Sequence, residues 1–112
     1  MKKQTLAIFI ATLFLSTAAM ADVTLPKIFA DGMVLQREQP IAIWGWADPG
    51  EAIVVKLKNQ RQKATTDSGG KWKVRLSPEV AGGPFQLEVS GNNTLVFTDV
   101  LIGEVWICSG QS

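Results

Sequence analysis

The chain has 112 residues, with 11 basic and 10 acidic side chains and no histidine. That length leaves room for one small domain. The near balance of charge excludes the basic field that nucleic acid or an anionic membrane surface requires.

Lys2 and Lys3 precede an apolar stretch, residues 6–15, and then Ser16-Thr17-Ala18-Ala19-Met20-Ala21, with small residues at Ala19 and Ala21. This is the three-part layout of a bacterial secretory signal peptide, residues 1–21, with cleavage expected after Ala21 and a secreted or periplasmic product. The apolar stretch falls short of the roughly 20 residues that span a bilayer, so no membrane association is expected after cleavage. Without Lys2 and Lys3, nine basic residues face 10 acidic ones. Cys108, the single cysteine, has no partner for an intramolecular disulfide and reads as a small apolar residue packed in a strand.

From Asp22 onward the pattern is one of short strands divided by turn residues, without helical periodicity. Ile41, Ile43 and Gly45 alternate with Ala42, Trp44 and Trp46, and Asp48-Pro49-Gly50 ends the run. Ile53, Val55 and Leu57 alternate with Val54, Lys56 and Lys58, and Asn59-Gln60 turns into a polar return strand over residues 61–66. Asp67-Ser68-Gly69-Gly70 is a strong turn, because aspartate and serine bond nearby amides and glycine accepts positive φ. After it, Trp72, Val74 and Leu76 face one way while Lys71, Lys73 and Arg75 face water. Gly82-Gly83-Pro84 interrupts the chain before Phe85, Leu87 and Val89, and Gly91-Asn92-Asn93 turns into a strand over residues 94–98.

Strands that each carry one apolar face are satisfied by packing two sheets face to face. The expected fold is therefore all-β, an antiparallel β-sandwich of Ig-like or jelly-roll-like type over residues 22–99. Residues 100–108 are almost continuously apolar, which suits a strand buried on both faces, as in a parallel sheet covered by helices. A domain boundary is expected near residues 99–104, with residues 100–112 forming a linker and the first strand of a truncated α/β domain.

Leu25-Pro26-Lys27-Ile28-Phe29-Ala30-Asp31-Gly32-Met33-Val34-Leu35-Gln36-Arg37-Glu38, Ile43-Trp44-Gly45-Trp46-Ala47-Asp48-Pro49-Gly50-Glu51 and Gly70-Lys71-Trp72 appear in that order. They are followed by Ala81-Gly82-Gly83-Pro84-Phe85 and Val105-Trp106-Ile107-Cys108-Ser109-Gly110-Gln111-Ser112. Together these segments resemble the N-terminal part of sialate O-acetylesterases, serine hydrolases with an α/β/α catalytic domain and a Gly-x-Ser motif. The resemblance implies that Ser112 is the nucleophile and that its backbone amide is one oxyanion donor. It also implies a later glycine and asparagine as the other donors, and a later aspartate and histidine, all beyond Ser112. The expected substrate is an acetylated sugar, sialic acid or an acetylated polysaccharide, with no cofactor, no metal and no nucleic-acid partner. The chain is expected to be a front portion of such an esterase and inactive by itself.

Trp44, Trp46 and Trp72 also suit stacking on sugar rings, which admits an alternative reading as a secreted carbohydrate-binding or structural β-sandwich module. Trp72 shares a face with Val74 and Leu76 and is expected in the core, whereas for Trp44 and Trp46 core and sugar contact both stand. Asp48 and Asp67 are explained by their turns. Asn92-Asn93-Thr94 matches the glycosylation acceptor pattern but reads as a turn in a bacterial secreted protein.

Overall fold

The computed structural model describes residues 22–105 and is all-β, with no helix among them. Seven strands follow one another: β1 (Val34–Gln36), β2 (Ile41–Trp46), β3 (Ala52–Leu57), β4 (Gln60–Thr65), β5 (Lys71–Leu76), β6 (Gly82–Ser90) and β7 (Thr94–Gly103). They form a five-stranded sheet in the order β1-β7-β6-β3-β4 and a two-stranded sheet of β2 and β5.

The two-residue period of each strand places its apolar set on one face. In the small sheet Ile41 lies opposite Leu76, Ile43 opposite Val74 and Gly45 opposite Trp72, and these residues are buried. In the large sheet Val55 pairs with Val89 and Leu57 with Leu87, and all four are fully buried. The two inner faces meet in one hydrophobic core that also takes in Val23, Phe29, Leu35, Val100 and Ile102. Trp72, 3% exposed, belongs to that core as its alternation predicts. Its indole Nε1 donates to the Trp46 carbonyl at 3.2 Å, so the one polar atom of the ring is satisfied.

The sheet is not purely antiparallel: β1 pairs with β7 in parallel, Val34 opposite Leu101 and Gln36 opposite Gly103. A second departure concerns the residues that follow Asp99. Val100, Leu101, Ile102 and Gly103 are the second half of β7 and part of the sandwich, where a linker is expected from sequence. Their apolar run is not buried on both faces, since Val100 and Ile102 are inside while Leu101 is 43% exposed.

The cause is a β-bulge. Leu87 pairs with Phe97 but Phe85 pairs with Val100, so β7 carries one extra residue there, and Asp99 sits in the left-handed region at φ 56°. Before the bulge Leu95 and Phe97 lean on the core; beyond it the parity switches to Val100 and Ile102. The loop before β1 bonds the backbone groups freed at the bulge. Thr98 N donates to Asp31 Oδ1 at 2.8 Å, and Gly32 N donates to the Thr98 carbonyl at 2.9 Å. A matching irregularity on β6, between Gly82 and Phe85, restores the register and carries the Gly82-Gly83-Pro84 segment inside the strand rather than at a break.

Candidate functional site

Ser112, the expected nucleophile, lies outside the described residues, as do residues 106–111 of its motif and the expected signal segment. The structure does describe how the chain leaves the sandwich toward that motif. At the end of β7 the Gln36 side chain acts as a clamp: its Oε1 accepts from Val105 N at 3.1 Å and its Nε2 donates to Glu104 Oε1 at 3.3 Å. Arg37 N adds a bond of 2.8 Å to the Gly103 carbonyl, continuing the parallel β1–β7 pairing past the strand end. Gln36 belongs to the segment that carries the resemblance, but its partners are 68 and 69 residues away. Only the parallel β1–β7 register brings them together, and β1 is too short to show a sequence period.

The tryptophans are sorted by strand parity. Trp44 and Trp46 project from the outer face of the small sheet, 37% and 45% exposed, directly opposite Lys73 and Lys71. With Ala42, Thr65, Asp67 and the edge of Trp72 they line an open groove of about 760 Å³. The Trp44 and Phe29 rings meet nearly at right angles, with centroids 4.9 Å apart and planes at 81°, which restrains the Trp44 ring. Trp46 is held by its backbone, which exchanges two hydrogen bonds with Thr24, N to O at 2.9 Å and O to N at 3.0 Å.

Asp67 takes the structural role its turn predicts: Oδ1 accepts from Gly69 N and Lys71 N, each at 2.9 Å, and starts β5 beside the groove. Asp48 opens a second turn, its carbonyl accepting from Glu51 N at 3.0 Å and its N–H donating to Glu51 Oε1 at 3.0 Å. The other Glu51 oxygen accepts from Asn92 N, so one carboxylate ties the β2–β3 turn to the β6–β7 turn. Asn93 is equally engaged: Oδ1 accepts from Val23 N at 2.6 Å. The described residues contain no group of three or more acidic, cysteine or histidine side chains arranged to hold a metal.

A third cluster joins the loops at the opposite end. Gln60 Nε2 donates to Glu79 Oε2 at 2.6 Å and Lys58 Nζ donates to Glu79 Oε1 at 2.9 Å. Gln60 also accepts from Ser77 N at 2.7 Å. The hydrogen bond from Gln60, then that from Lys58, holds the Glu79 carboxyl below the usual carboxylate range. Each of these three side chains is used in joining loops, which marks the cluster as structural.

The chain is similar to known acetylesterases. Sialate O-acetylesterase from Pongo abelii is 41% identical over a match covering 71% of this chain, and the Homo sapiens protein of the same name is 40% identical with the same coverage. The crystal structure of a carbohydrate acetylesterase from Xanthomonas citri superposes with a TM-score of 0.75 at 48% identity, covering 76% of this chain. The matched segment is sialate O-acetylesterase-like. It corresponds to a small part of those proteins: the match covers 18% of each of the two curated relatives and 20% of the solved acetylesterase chain. No family model matches.

Proposed function

We propose that this chain is the sandwich portion of a secreted carbohydrate acetylesterase that removes O-acetyl groups from sialic acids or related acetylated sugars, with Ser112 as its nucleophile. The observation that carries the reading is agreement in both sequence and fold with acetylesterases, including 48% identity at a TM-score of 0.75. The Gly110-Gln111-Ser112 triplet supplies the residue type the chemistry needs.

In this reaction Ser112 Oγ attacks the acetyl carbonyl carbon while a base takes the hydroxyl proton. The tetrahedral oxyanion collapses, the bond to the sugar oxygen breaks, and the sugar hydroxyl leaves with the proton. Water then attacks the acetyl-serine and releases acetate. A serine hydroxyl is a weak nucleophile at neutral pH without a base, and loss of one oxyanion donor alone costs on the order of 100- to 1000-fold. With no histidine in its 112 residues, the chain by itself is expected to be inactive. The Gln36 clamp on Glu104 and Val105 gives the sandwich a mechanical role, since it fixes the point from which the chain proceeds to the serine motif.

The test is hydrolysis of p-nitrophenyl acetate by this chain alone and by this chain joined in frame to the remaining length of the Xanthomonas citri acetylesterase. The joined protein should turn over, and Ser112→Ala should abolish turnover in it. Turnover unchanged by Ser112→Ala would remove Ser112 from the mechanism, and turnover by the short chain that depends on Ser112 would overturn its inactivity.

A further inference from the structure

The outer face of the β2–β5 sheet is not needed by the core, yet it carries the two most solvent-exposed described tryptophans and two lysines in register with them. We infer that this groove is a binding site for a sugar that carries a carboxylate.

Three observations support this. Trp44 and Trp46 are two residues apart on one strand, so their side chains leave the same face about 7 Å apart along it, giving two adjacent apolar platforms for the carbon-bound faces of pyranose rings. The Trp44 ring is held by its contact with Phe29, and the strand that carries Trp46 is held at that residue by the Thr24 backbone pairing. A platform that is already ordered loses little entropy when a ligand settles on it.

The second observation is charge. Lys73 lies opposite Trp44, Lys71 opposite Trp46, and Arg75 follows on the same face opposite Ala42. The ion pairs among the described residues use Arg37, Lys56 and Lys58, and none among those residues involves Lys71, Lys73 or Arg75. Asp67, the one acid lining the groove, already accepts two backbone N–H groups through one oxygen. The face is therefore cationic beside its aromatics and complementary to a single carboxylate rather than to a neutral sugar. The third observation is scale: the chain as a whole has nearly balanced charge, 11 basic against 10 acidic residues, which does not favour a polyanion such as nucleic acid.

The inference shares with the proposed function only the class of ligand, and it is tested with sugars that carry no O-acetyl ester, so the two can fail separately. The full chain is titrated with sialyllactose and with trigalacturonate, two sources of a sugar carboxylate, and with lactose as the neutral control. Binding is read from the indole N–H signals in nitrogen-correlated NMR spectra. Either acidic sugar should move the Trp44 and Trp46 indole signals further than that of buried Trp72, with affinity at least about tenfold above lactose. Which acidic sugar binds more tightly identifies the source of the carboxylate.

In the double variant Lys71→Gln, Lys73→Gln the preference over lactose should disappear, while Lys56→Gln on the other sheet should keep it. Trp46→Ala should abolish binding of all three, and Trp46→Phe, which keeps a ring there, should restore part of it. Equal affinity for lactose and the acidic sugars, no binding of any of them, or an undiminished preference in the lysine double variant would each overturn the proposal.

Discussion

Gly45→Ala should be among the most damaging single-methyl additions in this domain, because the space a Cβ needs at Gly45 is already occupied. It would fall far inside contact distance of the Thr24 carbonyl oxygen and 3.0 Å from Trp72 Cζ2. The oxygen is backbone and the ring is packed in the core, so neither can swing aside as a flexible side chain would. The least costly relief is for residues 23–24 to lift from β2. That breaks the two Thr24–Trp46 hydrogen bonds, together about 1–3 kcal/mol, and exposes Val23, which is 1% exposed and contributes about 1.5–3 kcal/mol by its burial. The expected loss is about 2.5–6 kcal/mol, a large part of the 5–15 kcal/mol typical of whole domains. For a domain of this size each kcal/mol shifts Tm by about 4–8 °C. A thermal melt should therefore move down by about 10 °C or more, and hydrogen exchange at the Thr24 and Trp46 amides should accelerate. Gly32→Ala is the informative contrast. Gly32 sits at φ 78° with nothing within 4 Å of its missing Cβ, so only backbone strain of about 1–2 kcal/mol applies. If Gly45→Ala melts within 5 °C of the parent with both amides still protected, or if Gly32→Ala proves the worse of the two, the reasoning from close approach fails.

Glu79→Gln should weaken the domain by about 1 kcal/mol at neutral pH through its bonds to Gln60 and Lys58. Because the Glu79 carboxyl is held below its ordinary value of 4.5, the charged form stabilises the fold above that value. That contribution is lost as pH falls through the lower folded value. Urea melts across pH 7 to pH 3 should show the gap between parent and variant closing toward the acid end, and a gap that widens there would contradict the assignment. Gln36→Ala should leave Tm within a few degrees, since its bonds to Glu104 and Val105 are exposed. The same change should raise hydrogen exchange at the Val105 amide at least about fivefold, whereas unchanged exchange would mean that β1–β7 pairing alone holds the exit.

The faces of the strands were legible in the sequence because alternation is a local signal. Ile41, Ile43, Ile53, Val55, Leu57, Trp72, Val74, Leu76, Leu87 and Val89 are all buried as the two-residue period predicts. Three things were not local. β1 has three residues, too few to show a period, and earns its place only by parallel pairing with β7. The bulge at Asp99 depends on bonds from Asp31 and Gly32, more than 60 residues earlier, and it reverses which residues of an apolar run point inward. At the candidate site, the outward projection of Trp44 and Trp46 follows from parity, whereas their pairing with Lys73 and Lys71 needs the β2–β5 register. Lysines that read as ordinary wet-face residues thereby become part of an aromatic groove.

The N-terminal residues of the described sandwich matter to that groove more than their position suggests. A sheet of two strands is marginal by itself, and β2 gains a second backbone partner, beside β5, at Thr24, which binds Trp46 through both N–H and C=O. The preceding residue, Val23, is pinned in turn by Asn93 and packs over Gly91, where a Cβ would collide with it. Trp46, whose carbonyl also receives the Trp72 indole, is thus the point where the strap, the groove and the core meet. Loosening the strap should therefore disturb Trp46 before Trp44, whose ring rests on Phe29 instead. The opposite order in the indole signals of Gly45→Ala would show that the strap is a passenger on the sheet and not its third strand.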